Sequence, residues 1–262
     1  TTSLDQRSYE EGVRAIRAHI ARGWVYQVNL CRVLSARLPQ AFDPLAAYHV
    51  LAQGNPAPFA GLLHIAGDQT IISASPELLL KRSGDHLMTG PIKGTAAVLD
   101  GLLDKDRDEN VMIVDLMRND LSHIAAPGTV EVTDLLRVEN HPGLVHLVSD
   151  VECQLAAGMT WADILQAVLP AGSVSGAPKS SALSVIKELE PVSRGAYCGA
   201  FGWVDVDRAS ACLAVGIRTF AIRDDTIRFG TGAGITWGSD PTGEWLETEL
   251  KARRLMSLMA GQ

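Results

Sequence analysis

The residue types most able to do chemistry in this 262-residue chain begin with one lysine. Lys93 lies in "GPIKGT", residues 90–95, between a Pro-Ile step and a Gly-Thr pair, in a stretch that otherwise reads as sheet. An ammonium is strongly hydrated, so such a place suits it only if its stem carries the head group out to water. The other reading is a partly desolvated amine whose pKa is lowered, which makes it a nucleophile or a proton carrier. Carboxylates come next. Glu244, Glu247 and Lys251 share one face of a C-terminal helix, and Glu247 with Lys251 also forms an i,i+4 pair. Exposed on a surface, such a pair contributes only ~0.3–0.5 kcal/mol. Glu109 in "DENVMIVD" reads as a first-turn carboxylate satisfied by the helix dipole. Carboxylates from two separate helices can instead share Mg2+, which takes one or two protein carboxylates, keeps several waters and fills its shell from an oxygen-rich substrate.

Two glycine-bearing stretches are candidates for anion contact. "GSVSGAPK", residues 172–179, precedes a helix, where unsatisfied N–H groups and the dipole suit an anion. It lacks the order of a Walker loop, and a glycine-eased loop with Pro178 at helix entry explains it equally well. "GTGAGI", residues 230–235, is only loosely like a dinucleotide fingerprint, because no helix follows it. Alternate glycines on a strand can still admit a ligand carboxylate close to the backbone.

These residues need elements to hold them. Apolar spacing at Tyr9, Val13, Ile16 and Ile20 predicts a first helix ending at Gly23. A long strand is predicted over Trp24–Leu38, and Asp43-Pro44 starts a second helix. Four apolar runs between Phe59 and Ile92 predict an antiparallel meander. A buried helix is expected over Asp104–Ile124, then the strands "TVEVTDLLRV" and "LVHLVSDVECQL". Thr160 caps a helix to Leu169, "PAGSVSGAP" reads as a loop, and the helix "KSSALSVIKELE" is expected to end at Arg194-Gly195. Three strands follow, "AYCGAFGWVDV", "ACLAVGIRTFAI" and "TIRFGTGAGIT", before a helix from Pro241. The class is α+β, large antiparallel sheet with helices packed outside.

Composition narrows the function. A net charge of −7 without a Lys/Arg cluster gives no footprint for nucleic acid. No apolar run reaches the roughly 18 residues of a membrane span, and the polar start is unlike a signal sequence, so a cytoplasmic protein acting on a small molecule is expected. Cys31, Cys153, Cys198 and Cys212 stand far apart with no CxxC, which argues against zinc and for reduced, buried thiols.

In this order, the motifs closely resemble the chorismate-utilising enzymes, a family that includes anthranilate, isochorismate, salicylate and aminodeoxychorismate synthases. The resemblance covers nearly the whole chain, through "GWVYQVNL", "SPELLL", "PIKGT", "DENVMIVDLMRNDL", "VHLVSDV", "GSVSGAPKSSALSVIKELEPVSRGAYCGAFGW", "VGIRT" and "GTGAGITWGSDPTGEWLETELKA". It implies the anthranilate synthase component I-like fold and one chorismate-binding catalytic domain over residues 1–262, without the N-terminal region of longer relatives. The lysine of "PIKGT" resembles the signature of aminodeoxychorismate synthase component I, of para-aminobenzoate and folate biosynthesis, whereas anthranilate synthases carry alanine there. Isochorismate and salicylate synthases use a lysine in the first long strand as base; the matching residue here is Gln27, which cannot take a proton from water.

The resemblance therefore implies that Lys93 adds to C2 of chorismate as the C4 hydroxyl leaves, and that ammonia then adds at C4 and expels the lysine, giving 4-amino-4-deoxychorismate. Glu77 of "SPELLL" would be the acid that protonates the leaving hydroxyl, with His146 helping. Mg2+ would be held by Glu109 and Glu247, with Glu244 reaching it through water and Gly232 and Gly234 nearby. Arg218, Tyr197 and Lys251 would grip the enolpyruvyl carboxylate, and Gly94, Thr95 and Ser175 would contact the ring. Ammonia would come from a separate glutamine amidotransferase subunit, component II, since nothing here resembles a Cys-His glutaminase site. Many relatives continue the lysine motif with Arg-Pro-Arg where this chain runs "PIKGTAAVLDGLLDKD". Two other functions fit the same residues: anthranilate synthase component I, in which pyruvate is also lost, and a non-catalytic chorismate-binding or glutaminase-partner module.

Overall fold

A computed structural model of the chain describes residues 1–65, 69–96, 104–141 and 144–261. In chain order its elements are α1 Gln6–Ala21, β1 Gln27–Arg37, α2 Pro44–Gly54, β2 Phe59–Ile65, β3 Gln69–Ser75, β4 Leu78–Ser83, β5 His86–Gly90 and β6 Ile92–Ala96. Then come α3 Asp104–Ser122, β7 Glu131–His141, β8 Leu144–Gln154, α4 Trp161–Val168, α5 Gly172–Ser175, β9 Gly176–Ala177 and α6 Lys179–Leu189. The chain closes with β10 Ala200–Asp205, β11 Ser210–Val215, β12 Thr219–Arg223, β13 Thr226–Ile235 and α7 Pro241–Met259. No helix among the described residues is long and apolar enough to cross a membrane.

Contacts divide the chain into two compact units, each assembled from separated stretches. Residues 1–76, 174–199 and 216–262 make the first; residues 77–173 and 200–215 make the second. The first unit is built on a six-stranded antiparallel sheet ordered β2-β3-β12-β13-β1-β9. Its helices share one face of that sheet. Val28 and Leu30 of β1 stand opposite Ile235 and Ala233 of β13, and they bury against Tyr9, Val13 and Ile16 of α1 and Ala182, Val185 and Ile186 of α6. Ile227 and Phe229, of the same parity on β13, bury against Leu51 of α2 and Ala252 and Leu255 of α7. The opposite face of that ladder carries the buried Asn29 and Cys31 across from Gly234 and Gly232. The second unit has a sheet ordered β10-β11-β4-β5-β8-β6, with β7 also paired to β8. On it, α3 buries Ile113, Met117 and Leu121 at helical spacing.

The expected α+β class with antiparallel sheet holds, and four local expectations are corrected. The meander is cut after Pro76: β2 and β3 belong to one sheet, β4 and β5 to the other, and β5 and β6 flank β8 rather than each other. The run "ACLAVGIRTFAI" likewise splits into β11 and β12, which join different sheets. Arg218 marks that switch with φ +51, a left-handed backbone that no continuous strand tolerates. The stretch 170–178 holds the short α5 and β9 rather than loop alone. Finally, α6 stops at Leu189 with Glu190 as its C-cap, because Pro191 has no N–H to continue it. Of the four thiols, Cys31, Cys153 and Cys198 are buried, Cys212 is partly so, and all are free.

Candidate functional site

The second unit holds Glu77, Lys93, Gly94, Thr95, Glu109 and His146. Lys93 is positioned by a bulge in the β6–β8 ladder. Ile92 and Lys93 pair with Val148 and Leu147, the register then slips, and Thr95 stands opposite His146. Gly94 takes the extra place with φ +79, and such a bulge re-aims the side chain beside it. Lys93 Nζ donates to Glu109 Oε1 at 2.9 Å and more weakly to the Ser173 carbonyl at 3.4 Å. The two side chains are only 13% and 16% exposed. Of the two readings open for Lys93, snorkelling to water is therefore set aside: the head group is held within the fold, against Glu109.

Glu109 arrives there because α3 is pinned to β8 by its neighbour. Asn110 Nδ2 donates to the carbonyl of Leu147, the residue opposite Lys93, at 3.1 Å. Ser149 Oγ donates to Asn110 Oδ1 at 2.6 Å and accepts from the Leu136 N–H at 2.9 Å. This chain of hydrogen bonds, buried at Asn110 and Ser149, links α3, β8 and β7 and has no counterpart in the sequence reading. The signal available was an amide at the junction of the acidic start of α3 and its apolar run. The expectation that Glu109 is a first-turn residue met by the dipole is corrected: α3 begins at Asp104, which puts Glu109 in the second turn, and an ammonium meets it instead. Glu77 is 4% exposed, and its carbonyl accepts from the Val215 N–H at 3.0 Å. His146 is buried on β8. Replacing Gly94 by alanine is expected to destabilise the protein by about 1–2 kcal/mol, because a Cβ is forced into left-handed backbone. An unchanged urea midpoint refutes the bulge as the reason for glycine.

The first unit holds Gln27, Ser175, Tyr197, Arg218, Gly232, Gly234, Glu244, Glu247 and Lys251. Gln27 is buried at the start of β1 and pairs with Ala177, two residues beyond the buried Ser175. Tyr197 is buried with its ring against Gly230; its hydroxyl accepts from the Cys31 thiol at 3.8 Å, and burial pushes its pKa well up. A Cβ at Gly232 would come within 2.7 Å of Cys31 Sγ, so close packing alone already requires glycine there. Arg218 is fixed through its carbonyl, which accepts from the Ala74 N–H at 3.1 Å. Glu244 is buried in the first turn of α7. Lys251 Nζ bridges Glu247 Oε1 at 2.6 Å and the Gly232 carbonyl at 3.1 Å. That ion pair is formed as its spacing suggests, and it is about half exposed.

Sequence reasoning also missed Glu190 and Arg194. Arg194 Nε and Nη2 donate to the two Glu190 oxygens at 2.8 and 2.6 Å, Nη1 to the Val174 carbonyl at 2.7 Å, and Nη2 to the Asn29 carbonyl at 2.8 Å. Glu190 Oε1 also accepts from the Cys31 N–H at 2.9 Å. Burial works against the guanidinium charge, but Cys31 and Glu190 outweigh it and raise its pKa. This clamp ties β1 to the 172–176 stretch, beside Ser175.

A "chorismate binding enzyme" family model matches residues 1–257. The chain belongs to the chorismate-binding enzyme family. Anthranilate synthase component 1 of Streptomyces coelicolor is 39% identical over 98% of this chain and 52% of its own length. The protein of that name from Thermus thermophilus is 41% identical over 97% of this chain and 56% of its own. The crystal structure of anthranilate synthase component I from Streptococcus pneumoniae superposes with a TM-score of 0.88 at 34% identity, over 97% of this chain and 58% of that one. The chain thus spans about half the length of the curated relatives it matches. These relatives overturn the assignment to aminodeoxychorismate synthase component I that Lys93 suggested. One lysine carried that choice, and its amine is committed to an ion pair with Glu109. Residues 97–103 of the departing stretch after "PIKGT" lie outside the described residues.

Proposed function

We propose that this chain carries the chorismate-converting chemistry of an anthranilate synthase component I. Chorismate and ammonia enter; anthranilate, pyruvate and water leave. The observation that carries this reading is 39–41% identity, kept across 97–98% of the chain, to relatives of that name. Ammonia forms the bond to C2, the C4 hydroxyl departs as water, and the enolpyruvyl ether is then lost as pyruvate.

Hydroxide is a poor leaving group, so the first step needs an acid at that oxygen. Glu77 is proposed for it, and its burial supports the role, because a donor sheltered from bulk water delivers its proton to the bound substrate. His146, also buried, is proposed to assist. Arg218, Tyr197 and Lys251 are proposed to hold the enolpyruvyl carboxylate, where the guanidinium offers a bidentate fork. A separate glutamine amidotransferase subunit is the proposed ammonia source.

Mg2+ is the proposed metal, and the donors suit it. Among the described residues no three His, Cys, Asp or Glu side chains gather into a ready-made cluster, as zinc would want. Magnesium needs only one or two carboxylates, and Glu109, Glu244 and Glu247 are oxygen donors of that type. Held by these carboxylates, the ion would supply positive charge against the ring carboxylate of the dianionic substrate. The test is to incubate the chain with chorismate, ammonium and Mg2+ and follow anthranilate fluorescence. Anthranilate and pyruvate in equal amounts are expected. A product that keeps the enolpyruvyl group sinks the reading, and absence of turnover favours a binding module instead.

A further inference from the structure

We infer that the Lys93 ammonium is a tethered cation that competes with the divalent metal for Glu109, so that metal binding and the position of Lys93 are coupled. The inference deepens the reading above and rests on Glu109 being a magnesium ligand within it. Both carboxylates proposed as direct ligands already face an ammonium: Glu109 meets Lys93 at 2.9 Å, and Glu247 meets Lys251 at 2.6 Å. The two pairs are not equivalent. The Glu247 pair is about half exposed and therefore screened by water and salt, whereas the Glu109 pair is 84–87% shielded, where charge interactions are several-fold stronger. A divalent ion arriving at Glu109 must displace or share the carboxylate lone pairs that the ammonium holds.

The fold also supplies a place for the displaced ammonium. Lys93 Nζ already lies 3.4 Å from the Ser173 carbonyl, and Ser173 Oγ is buried with no hydrogen-bond partner among the described residues. A short swing of the lysine stem exchanges the carboxylate for the Ser173 carbonyl that the ammonium already approaches. Such an exchange needs no change in β6, whose bulge at Gly94 fixes where the stem begins. Because coupling is reciprocal, whatever strengthens the hold of Lys93 on Glu109 weakens the metal by the same factor.

The experiment is calorimetric titration of the full chain with MgCl2 at constant ionic strength. The wild type is compared with Lys93→Met, which keeps the apolar stem, and with Lys251→Met as the screened counterpart. Lys93→Met is expected to bind Mg2+ on the order of tenfold more tightly, the scale of an ordinary site-to-site coupling, with a smaller change for Lys251→Met. In wild-type protein, Mg2+ is expected to raise acylation of Lys93 by an amine-reactive ester, read by peptide mass spectrometry. Equal or weaker affinity in a folded Lys93→Met protein overturns the inference, as does Lys93 acylation that ignores Mg2+ or an absence of binding in every protein. Anthranilate formation is read separately. An enzyme that makes anthranilate but shows no gain in Lys93→Met loses only this inference, and tighter metal without anthranilate loses only the functional reading.

Discussion

Replacing Arg194 with alanine is expected to lower the unfolding free energy by about 3–5 kcal/mol, the cost of stranding a buried charge whose partner is removed. The Glu190 and Arg194 side chains are 6% and 14% exposed, so water cannot take over the lost interactions. Four hydrogen bonds from one guanidinium would go at once, two of them to carbonyls on separate stretches of chain, Asn29 on β1 and Val174 on α5. Arg194→Lys keeps the charge but has no planar fork to span all three partners, so it is expected to recover only part of the loss. Denaturant titration followed by both fluorescence and circular dichroism measures this, with coincident transitions as the check that one free energy applies. A loss below about 1 kcal/mol for Arg194→Ala, the range of a surface pair, refutes the clamp.

Glu190 and Arg194 also show where sequence reasoning stopped. Their four-residue spacing was visible in "ELEPVSR", but Pro191 lies between them, so no helix face unites them and the i,i+4 rule gave no reason to pair them. The pair forms because α6 ends at Leu189 and the chain doubles back across β1. By contrast, local chemistry was legible. Asp43 accepts from the Leu45 N–H ahead of Pro44, and Thr160 forms a capping box with Asp163, as their positions before apolar runs indicated. A cap and its helix are neighbours in sequence, so the information is local.

Assignment of strands to sheets is a different matter. The runs ending at Ser75 and beginning at Leu78 have the same apolar content, and nothing in their alternation says that they belong to different sheets. Pro76 and the left-handed Arg218 mark two of the four crossings, yet each reads equally well as an ordinary turn. The candidate site was legible as residue types and only partly as geometry. Lys93 and Glu109 were both singled out, but their contact at 2.9 Å depends on a bulge and on the buried Asn110–Ser149 link, neither of which leaves a local mark. That missing contact decides chemistry. A lysine judged in isolation reads as a free nucleophile, whereas this one is met by a shielded carboxylate at hydrogen-bond distance.

Glu77→Gln is expected to lower kcat for chorismate conversion by roughly 10²–10⁴-fold, the range that one positioned proton donor supplies. Glutamine keeps the shape and hydrogen-bonding reach of the side chain but has no proton to give an oxygen leaving group. The change leaves the backbone bond at this position in place, because the Val215 N–H donates to the Glu77 carbonyl. Chorismate binding is therefore expected to persist in the variant, which separates a chemical role from a packing one. The pH profile carries the sharper sign. An acid works only while protonated, so wild-type kcat falls as pH rises through its titration in the complex, and that limb should vanish in the glutamine variant while Glu77→Asp retains it. Full activity in Glu77→Gln, or an unaltered alkaline limb, removes Glu77 as the acid and leaves the buried His146 on β8 as the next group to test at that oxygen.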